Sequence, residues 1–144
     1  GLAISIPNLP TEKEKTKKAR SILPKKVPMK DAIQNVSNSC GIVAGFLLSD
    51  IELIGQCMID RLAEPYRAKK IVGYDEVKRS ALKAGASGVA ISGAGPSMIA
   101  VVDRGKVNVM DVAEAMSQAF RRSGVDAEAY AVKPAKGAEI IASS

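Results

Sequence analysis

The stretch from Gly85 to Asp103, GASGVAISGAGPSMIAVVD, constrains the fold of this chain more than any other. Two apolar runs in it flank a segment of small residues, Ser92 to Ser97. Apolar runs separated by glycine, proline and serine predict a β-hairpin with a small-residue tip. Gly93 and Gly95 permit a positive φ and leave no Cβ to block a close approach to the backbone. The same residues also suit a plain turn, and the pattern leaves both interpretations open.

The pattern of apolar and turn-forming residues predicts four strands and five helices along the chain. The strands are expected at residues 2–6, 89–91, 98–102 and 125–132, with a short extended tail at residues 137–141. The helices are expected at residues 11–21, from residue 28 onwards, from Ser49 or Asp50 to Pro65, and at residues 74–84 and 108–123. Thr11 and Glu14 have the spacing of a capping box, and Pro65 is expected to end the third helix. Gly85 and Gly124 follow the last two helices, as C-terminal caps do.

Apolar residues recur at spacings of three and four in these helices, which is typical of a face turned to a core. In the second helix this face is formed by Met29, Ile33, Val36, Cys40, Val43 and Leu47. In the later helices it is formed by Ile51, Ile54, Met58 and Leu62, by Val77, Ala81 and Ala84, and by Val112, Met116, Ala119 and Phe120. Gly41 and Gly45 are poor helix formers, and they indicate that another element packs closely against the second helix.

Polar residues interrupt the opposite face of the second helix, at Asn35, Ser37, Asn38 and Ser39. We expect these side chains to be exposed to solvent, because polar residues on one side of an amphipathic helix usually are. A polar wall that faces another domain is the alternative interpretation.

The predicted order is strand, helices, two hairpin strands, helix, strand. If each helix returns the chain to the same sheet, the fold class is α+β, a ferredoxin-like βαββαβ sandwich with extra helices in the first crossover. A length of 144 residues suits a single domain, residues 1–144. The fold alone does not indicate a function, because this architecture carries many.

The composition excludes several kinds of site. The absence of His rules out Ser-His-Asp and Cys-His nucleophiles. Cys40 and Cys57 lack the spacing of metal ligands, so no metal site is expected, and isolated cysteines suit the reducing cytoplasm. The hairpin is not a Walker A loop, since no Gly-Lys-Ser/Thr follows it. No apolar run reaches the length of a membrane span.

The net charge of +6 is unevenly placed, since residues 1–30 hold eight Lys or Arg against two Glu. Nucleic-acid binding is not expected, because only 3% of the residues are aromatic and no recognition motif is present. A solvated face or a site for anionic ligands fits the basic segment better. We interpret four of its cations as solvated charge: Lys17, Lys18, Lys25 and Lys26.

Residues 88–97, GVAISGAGPS, resemble the third signature motif of the GHMP small-molecule kinases, in the form typical of the homoserine kinase family. Two further segments agree with that family: ARSILP at residues 19–24, and EPYR at residues 64–67, which Gly73 and Tyr74 follow. The resemblance covers almost the whole chain and corresponds to the C-terminal half of such a kinase. The N-terminal ATP-binding half, with its glycine- and serine-rich loop, is absent, so the chain looks like a fragment.

This resemblance implies an activity, namely ATP-dependent phosphorylation of L-homoserine to O-phospho-L-homoserine in threonine biosynthesis. ATP and Mg²⁺ would be bound mainly by the absent N-terminal domain, and the fragment alone would be inactive. Besides L-homoserine and ATP, the implied partners are the protein's own N-terminal domain and a second copy of the protein. Two alternatives stay open. One is a related kinase acting on mevalonate or shikimate, and the other is a free-standing ferredoxin-like ligand-binding module without catalysis.

The resemblance also implies site residues. Arg20 and Arg67 occupy motif positions at which homoserine kinases hold their substrate, and the planar fork of arginine matches a carboxylate. Gly93, Ala94 and Gly95 would border the transferred phosphate, with Gly93 also close to the substrate. Added side chains at Gly93 or Gly95 should therefore damage activity more than stability. No catalytic residue and no metal ligand are expected within the chain itself.

Overall fold

The computed structural model describes residues 1–10 and 13–141, without the side chain of Lys15. Four strands and six helices are present in this part of the chain. The strands are β1 (Leu2–Pro7), β2 (Gly88–Ile91), β3 (Met98–Val101) and β4 (Ala127–Val132). The helices are α1 (Lys15–Ser21), α2 (Met29–Leu48), α3 (Ile51–Cys57), α4 (Glu64–Arg67), α5 (Tyr74–Lys83) and α6 (Val109–Arg122). A single 3₁₀ turn, Ala68–Lys70, continues α4.

The four strands form one antiparallel sheet in the order β2-β3-β1-β4. Ile4 of β1 lies opposite Ile99 of β3 on one side and Tyr130 of β4 on the other. This order and the placement of α1 to α5 between β1 and β2 are those of a ferredoxin-like sandwich with extra helices in the first crossover. The predicted fold class is therefore confirmed.

The core lies between one face of the sheet and helices α5 and α6. Phe120, Met116 and Val112 of α6 are at most 1% exposed, and Val77 and Ala81 of α5 are fully buried. These side chains meet the sheet residues that share one face, which are Ala3, Val89, Met98 and Ala100. The predicted inward faces of these two helices are confirmed, because a period near 3.6 places such residues on one side. Gly85 and Gly124, with φ of 100° and 88°, follow them as predicted.

Helix α2 buries the face opposite to the predicted one. The apolar stripe at Met29, Ile33, Val36, Val43 and Leu47 is 60–82% exposed, and Cys40 is also exposed. The predicted exposure of the polar face holds for Ser37 and Ser39, but it is wrong for Asn38, which is only 8% exposed. Its side-chain amide donates to the carbonyl of Ile59 at 2.7 Å.

The predicted close packing at the glycines of α2 explains this orientation. A Cβ added to Gly45 would lie 2.6 Å from Cγ1 of Ile54 in α3. Because a helix face without side chains allows the closest approach of another helix, the glycine side of α2 meets α3. Asn35 and Asn38 lie on that same side and pair with the segment after α3 instead of with water.

The third helix is shorter than predicted. Of the two residues expected at its start, Asp50 is the cap, since its Oδ1 accepts the amide of Leu53 at 2.9 Å, but the helix ends at Cys57. Pro65 lies at the start of α4, where the missing amide of proline costs no helical hydrogen bond. The expectation that Pro65 ends the third helix is therefore wrong.

Two further predictions concern the ends of the chain, namely the capping box before the first helix and the extended tail at residues 137–141. Thr11 of the predicted capping box lies outside the described residues, while Glu14 immediately precedes α1 with a φ of 58°. Residues 137–141 pair with none of the four described strands, and Ile140 and Ile141 are 90% and 97% exposed. Among the helices that the structure describes, none combines the length and apolarity needed to span a membrane.

Candidate functional site

The tip of the β2–β3 hairpin borders a cavity of about 520 Å³. Helix α1 with the turn after it forms one wall, and the end of α4 with its 3₁₀ turn forms another. The hairpin contributes Ala94, Gly95 and Pro96. These three segments are far apart in the sequence, so the cavity exists only because the fold brings them together.

The hairpin tip is a tight turn closed by its own hydrogen bonds. The amide of Ser92 donates to the carbonyl of Ser97 at 2.8 Å, and the amide of Gly95 donates to the carbonyl of Ser92 at 3.1 Å. Gly93 and Gly95 have φ values of 58° and 82°, which favour glycine. The turn therefore requires both glycines, and it leaves the backbone around Gly93 uncrowded, since an added Cβ would have no neighbour within 4 Å.

Arg67 connects α4 to the hairpin tip. It is the last residue of α4, it lines the cavity, and its Nη1 donates to the carbonyl of Gly93 at 3.0 Å. Its Nε is buried without a hydrogen-bond partner in the described part of the chain. A guanidinium has five N–H donors in a rigid fork, so the bond to Gly93 leaves further Nη donors for a ligand. The structure thus brings together Arg67 and the hairpin residues that the sequence singled out.

Arg20 is placed differently. Its side chain is exposed on α1, and it does not line the cavity, although its neighbours Ala19 and Ser21 do. The structure therefore brings the segment that carries Arg20 to the cavity without bringing its side chain against Arg67.

Two lysines at the cavity were not assigned to it from the sequence. Lys18, interpreted as solvated charge, and Lys70, which was not singled out, both line it beside Arg67. Lys70 lies three residues after Arg67 on the continuing 3₁₀ turn, a spacing that places both on one side. Apolar side chains complete the wall, among them Ile22 and Ile71. Three cations beside apolar surface suit a small molecule that carries a carboxylate or phosphate group and a short aliphatic part.

Asp60 holds the start of α4 from the loop before it. Its carboxylate accepts the amides of Leu62, Ala63 and Glu64 at 2.7–3.0 Å and the side-chain amide of Asn35 at 2.8 Å. Burial alone would raise the pKa of this carboxyl group. The four hydrogen bonds outweigh burial and lower the pKa of Asp60 below its usual value.

The described residues do not offer a metal site. In residues 1–10 and 13–141, no three or more Cys, Asp or Glu side chains converge closely enough to hold a cation.

Comparison with known proteins identifies the family to which the residues around the cavity belong. Residues 42–122 match the family model described as GHMP kinases C terminal. This chain belongs to the GHMP kinase C-terminal domain family. The matched range covers more than half of the chain and includes α4 with Arg67 and the whole β2–β3 hairpin.

Curated relatives of this GHMP kinase domain are similar over most of its length. It is 41% identical over 131 residues to a homoserine kinase from Pyrococcus abyssi. The aligned region covers 91% of this chain and 43% of the relative. A homoserine kinase from Methanocella arvoryzae is 43% identical over 126 residues, covering 88% and 41%. The crystal structure of homoserine kinase from Cytophaga hutchinsonii superposes with a TM-score of 0.79 at 37% identity, covering 90% and 40%. The chain thus spans less than half the length of these relatives.

Proposed function

We propose that this GHMP kinase domain is the C-terminal, substrate-binding part of a homoserine kinase. The whole enzyme would transfer the γ-phosphoryl group of ATP to the side-chain hydroxyl of L-homoserine, giving O-phospho-L-homoserine for threonine biosynthesis. The observation that carries the proposal is the position of Arg67, at a cationic cavity and bonded to the hairpin tip. The names of the similar proteins support it, because each of the three is called a homoserine kinase.

The cavity chemistry fits an amino acid with a short, uncharged side chain. The guanidinium of Arg67 would hold the carboxylate through paired, charge-assisted hydrogen bonds. Lys18 and Lys70 add positive potential at the same wall, and Ile22 and Ile71 offer apolar surface to the methylene groups. Catalysis in such a site consists mainly of positioning the hydroxyl against the phosphate and stabilising the transferred charge.

Arg20 and the hairpin residues have different support within this proposal. We propose Arg20 as a second substrate-binding residue because of its position in the motif. Its side chain is exposed and lies outside the cavity. Gly93, Ala94 and Gly95 are proposed to border the transferred phosphate. The uncrowded backbone at Gly93 supports this, because a phosphate needs space to approach.

The remaining parts of the enzyme are proposed from the family. GHMP kinases use ATP, and we propose that ATP and Mg²⁺ bind chiefly to an N-terminal domain of the same protein. The greater length of the relatives supports such a partner domain. We also propose that the full-length protein is a homodimer and that it is located in the cytoplasm. Light scattering of the purified full-length protein tests the dimer.

The test is ATP turnover by the full-length protein that contains this chain, with L-homoserine, mevalonate and shikimate offered in parallel. We expect turnover of homoserine only. Arg67→Ala should lower kcat/KM for homoserine roughly 10- to 100-fold, the equivalent of one charge-assisted hydrogen bond. Arg67→Lys, which keeps the charge and loses the fork, should fall between wild type and Arg67→Ala.

Arg79→Ala is the matched control for this experiment. Arg79 is an arginine on α5 whose side chain is 70% exposed and pairs with Glu76, away from the cavity. Its replacement should leave kcat/KM unchanged. Turnover of mevalonate or shikimate in preference would instead assign a related kinase. No turnover from a folded full-length protein would favour the ligand-binding module.

A further inference from the structure

The helix that carries Arg67 is too short to be stable by itself. Helix α4 has four residues, Glu64–Arg67, and forming a first helical turn costs more conformational entropy than its hydrogen bonds return. Contacts with the rest of the domain must therefore determine where α4 lies, and with it where Arg67 points. Two carboxylates, those of Asp60 and Glu64, supply such contacts at the start of the helix.

Asp60 satisfies the backbone at the start of α4. Its Oδ1 accepts the amides of Leu62 and Ala63 at 2.7 and 3.0 Å, and its Oδ2 accepts the amide of Glu64 at 2.9 Å. The first amides of a helix lack intrahelical partners, so this carboxylate satisfies the amide of Glu64 together with the amides of the two residues that lead into α4. Asn35 of α2 donates to the same carboxylate at 2.8 Å, which fixes its orientation.

Glu64 connects α4 to α5. It is 6% exposed, its Oε1 lies 2.6 Å from Nζ of Lys78, and the hydroxyl of Tyr74 donates to the same oxygen. Nζ of Lys78 also lies 3.0 Å from the Tyr74 hydroxyl and 5.5 Å from the centre of its ring. Because a buried charge without a partner is costly, this arrangement strongly favours one position of Glu64 against α5.

Neither the Asp60 nor the Glu64 carboxylate lines the cavity. Arg67, which lies three residues after Glu64, does line it. Arg67 then bonds to the carbonyl of Gly93 at 3.0 Å from the opposite end of the same short helix. Helix α4 is thus attached to α2 and α5 at its start and to the hairpin at its end. A shift at its start would be transmitted to the guanidinium, because a single helical turn has little freedom to absorb it.

We propose that Asp60 and Glu64 are positioning residues, which hold Arg67 in the orientation that binds the substrate's carboxylate. This inference rests on the proposed function, since it assigns Arg67 to the carboxylate of homoserine. Neither residue touches the substrate. Their effect on the reaction passes through Arg67.

The test measures steady-state kinetics of the full-length protein with Glu64→Gln, which keeps the shape and an acceptor for Tyr74 and removes the charge that faces Lys78. We expect KM for homoserine to rise about tenfold, with kcat and KM for ATP within about twofold of wild type. Asp60→Asn should change KM in the same direction. Glu76→Gln is the matched control, because Glu76 also pairs with basic side chains but lies outside the cavity, and it should leave KM unchanged.

A double-mutant cycle separates positioning from a general loss of structure. In the Arg67→Ala background, Glu64→Gln should raise KM for homoserine no further, because the residue through which it acts is gone. Effects of the two substitutions that multiply would overturn the inference, as would an unchanged KM in Glu64→Gln. If Glu64→Gln does not fold, Tyr74→Phe, which removes only the hydroxyl, replaces it in the same cycle with a smaller expected rise. A wild-type protein inactive on homoserine would instead overturn the proposed function, which makes the two failures distinguishable.

Discussion

Gly93 and Gly95 have different surroundings, although both adopt a positive φ. An added Cβ at Gly95 would lie 3.0 Å from Cδ1 of Ile71 and 3.2 Å from Cγ2 of Ile91. The same atom at Gly93 would meet no neighbour within 4 Å. Gly95 is therefore required by both backbone conformation and packing, whereas Gly93 is required only by conformation.

These surroundings predict different losses of stability. Gly93→Ala should lower the free energy of unfolding by about 1–2 kcal/mol, the cost of a side chain in the left-handed region. Gly95→Ala should lower it further, by roughly another 1–3 kcal/mol, because Ile71 and Ile91 must move. Equilibrium urea unfolding of the two variants measures both values.

Turnover of the same variants tests whether the hairpin tip borders the phosphate. Gly93→Ala should remain folded and still lose activity, since its methyl group would enter the space that the phosphate requires. A Gly93→Ala enzyme with wild-type kcat would mean that this glycine serves the turn alone.

At the scale of elements, α2 shows how a neighbour selects the buried face of a helix. Its apolar stripe has the period of a buried face, yet within the described chain α3 packs on the side that carries Gly41 and Gly45. The spacing of apolar residues along a helix indicates which face can be buried. In this domain the face that is buried is the one that allows α3 to approach α2 most closely.

Gly45→Ala tests that explanation. In an isolated helix the substitution would be favourable by about 1 kcal/mol. Here the new Cβ would lie 2.6 Å from Cγ1 of Ile54 and 3.0 Å from the carbonyl oxygen of Asp50. We therefore expect a net loss of roughly 1–2 kcal/mol in the free energy of unfolding, measured by urea denaturation.

Ser37→Ala is the control for helix propensity, because Ser37 is exposed on α2. It should change the free energy of unfolding by no more than about 0.5 kcal/mol, in the stabilising direction. A stabilising Gly45→Ala would show that α2 and α3 can separate without cost.

At the scale of the whole molecule, Asp60 couples global stability to pH. Its folded pKa lies below 3.8, so the folded state holds its proton less tightly than the unfolded state does. The stability that Asp60 contributes is therefore present above about pH 4 and is lost as the pH falls through the folded pKa.

Asp60→Asn should lower the thermal midpoint at neutral pH and should flatten its fall below about pH 4, because the variant has no carboxylate to protonate there. Thermal unfolding between pH 2 and pH 7, compared with wild type, measures this. A variant whose acid dependence equals that of wild type would assign the acid sensitivity to other carboxylates.

Much of the fold follows from local pattern. The hairpin, the inward faces of α5 and α6, the cap at Asp50 and the glycines after the last two helices all depend on residues within a few positions of one another. Such signals are legible in one sequence because periodicity and capping chemistry act over a single turn or strand. Arg67 and the functional role of the hairpin glycines were predicted from the motif resemblance, which carries information that composition lacks.

Only the tertiary structure decided the rest of the site. The bond from Arg67 to Gly93 joins residues 26 apart, as does the bond from the amide of Arg61 to Asn35, and no local rule specifies either contact. Burial of Asn38, the position of Arg20 outside the cavity and the contact of Glu64 with Lys78 likewise depend on which elements meet. The sequence by itself determined the four strands, five of the six described helices and the fold class that their order implies, because those follow from short-range order. The arrangement around Arg67 follows from packing between distant segments, which a one-dimensional pattern does not contain.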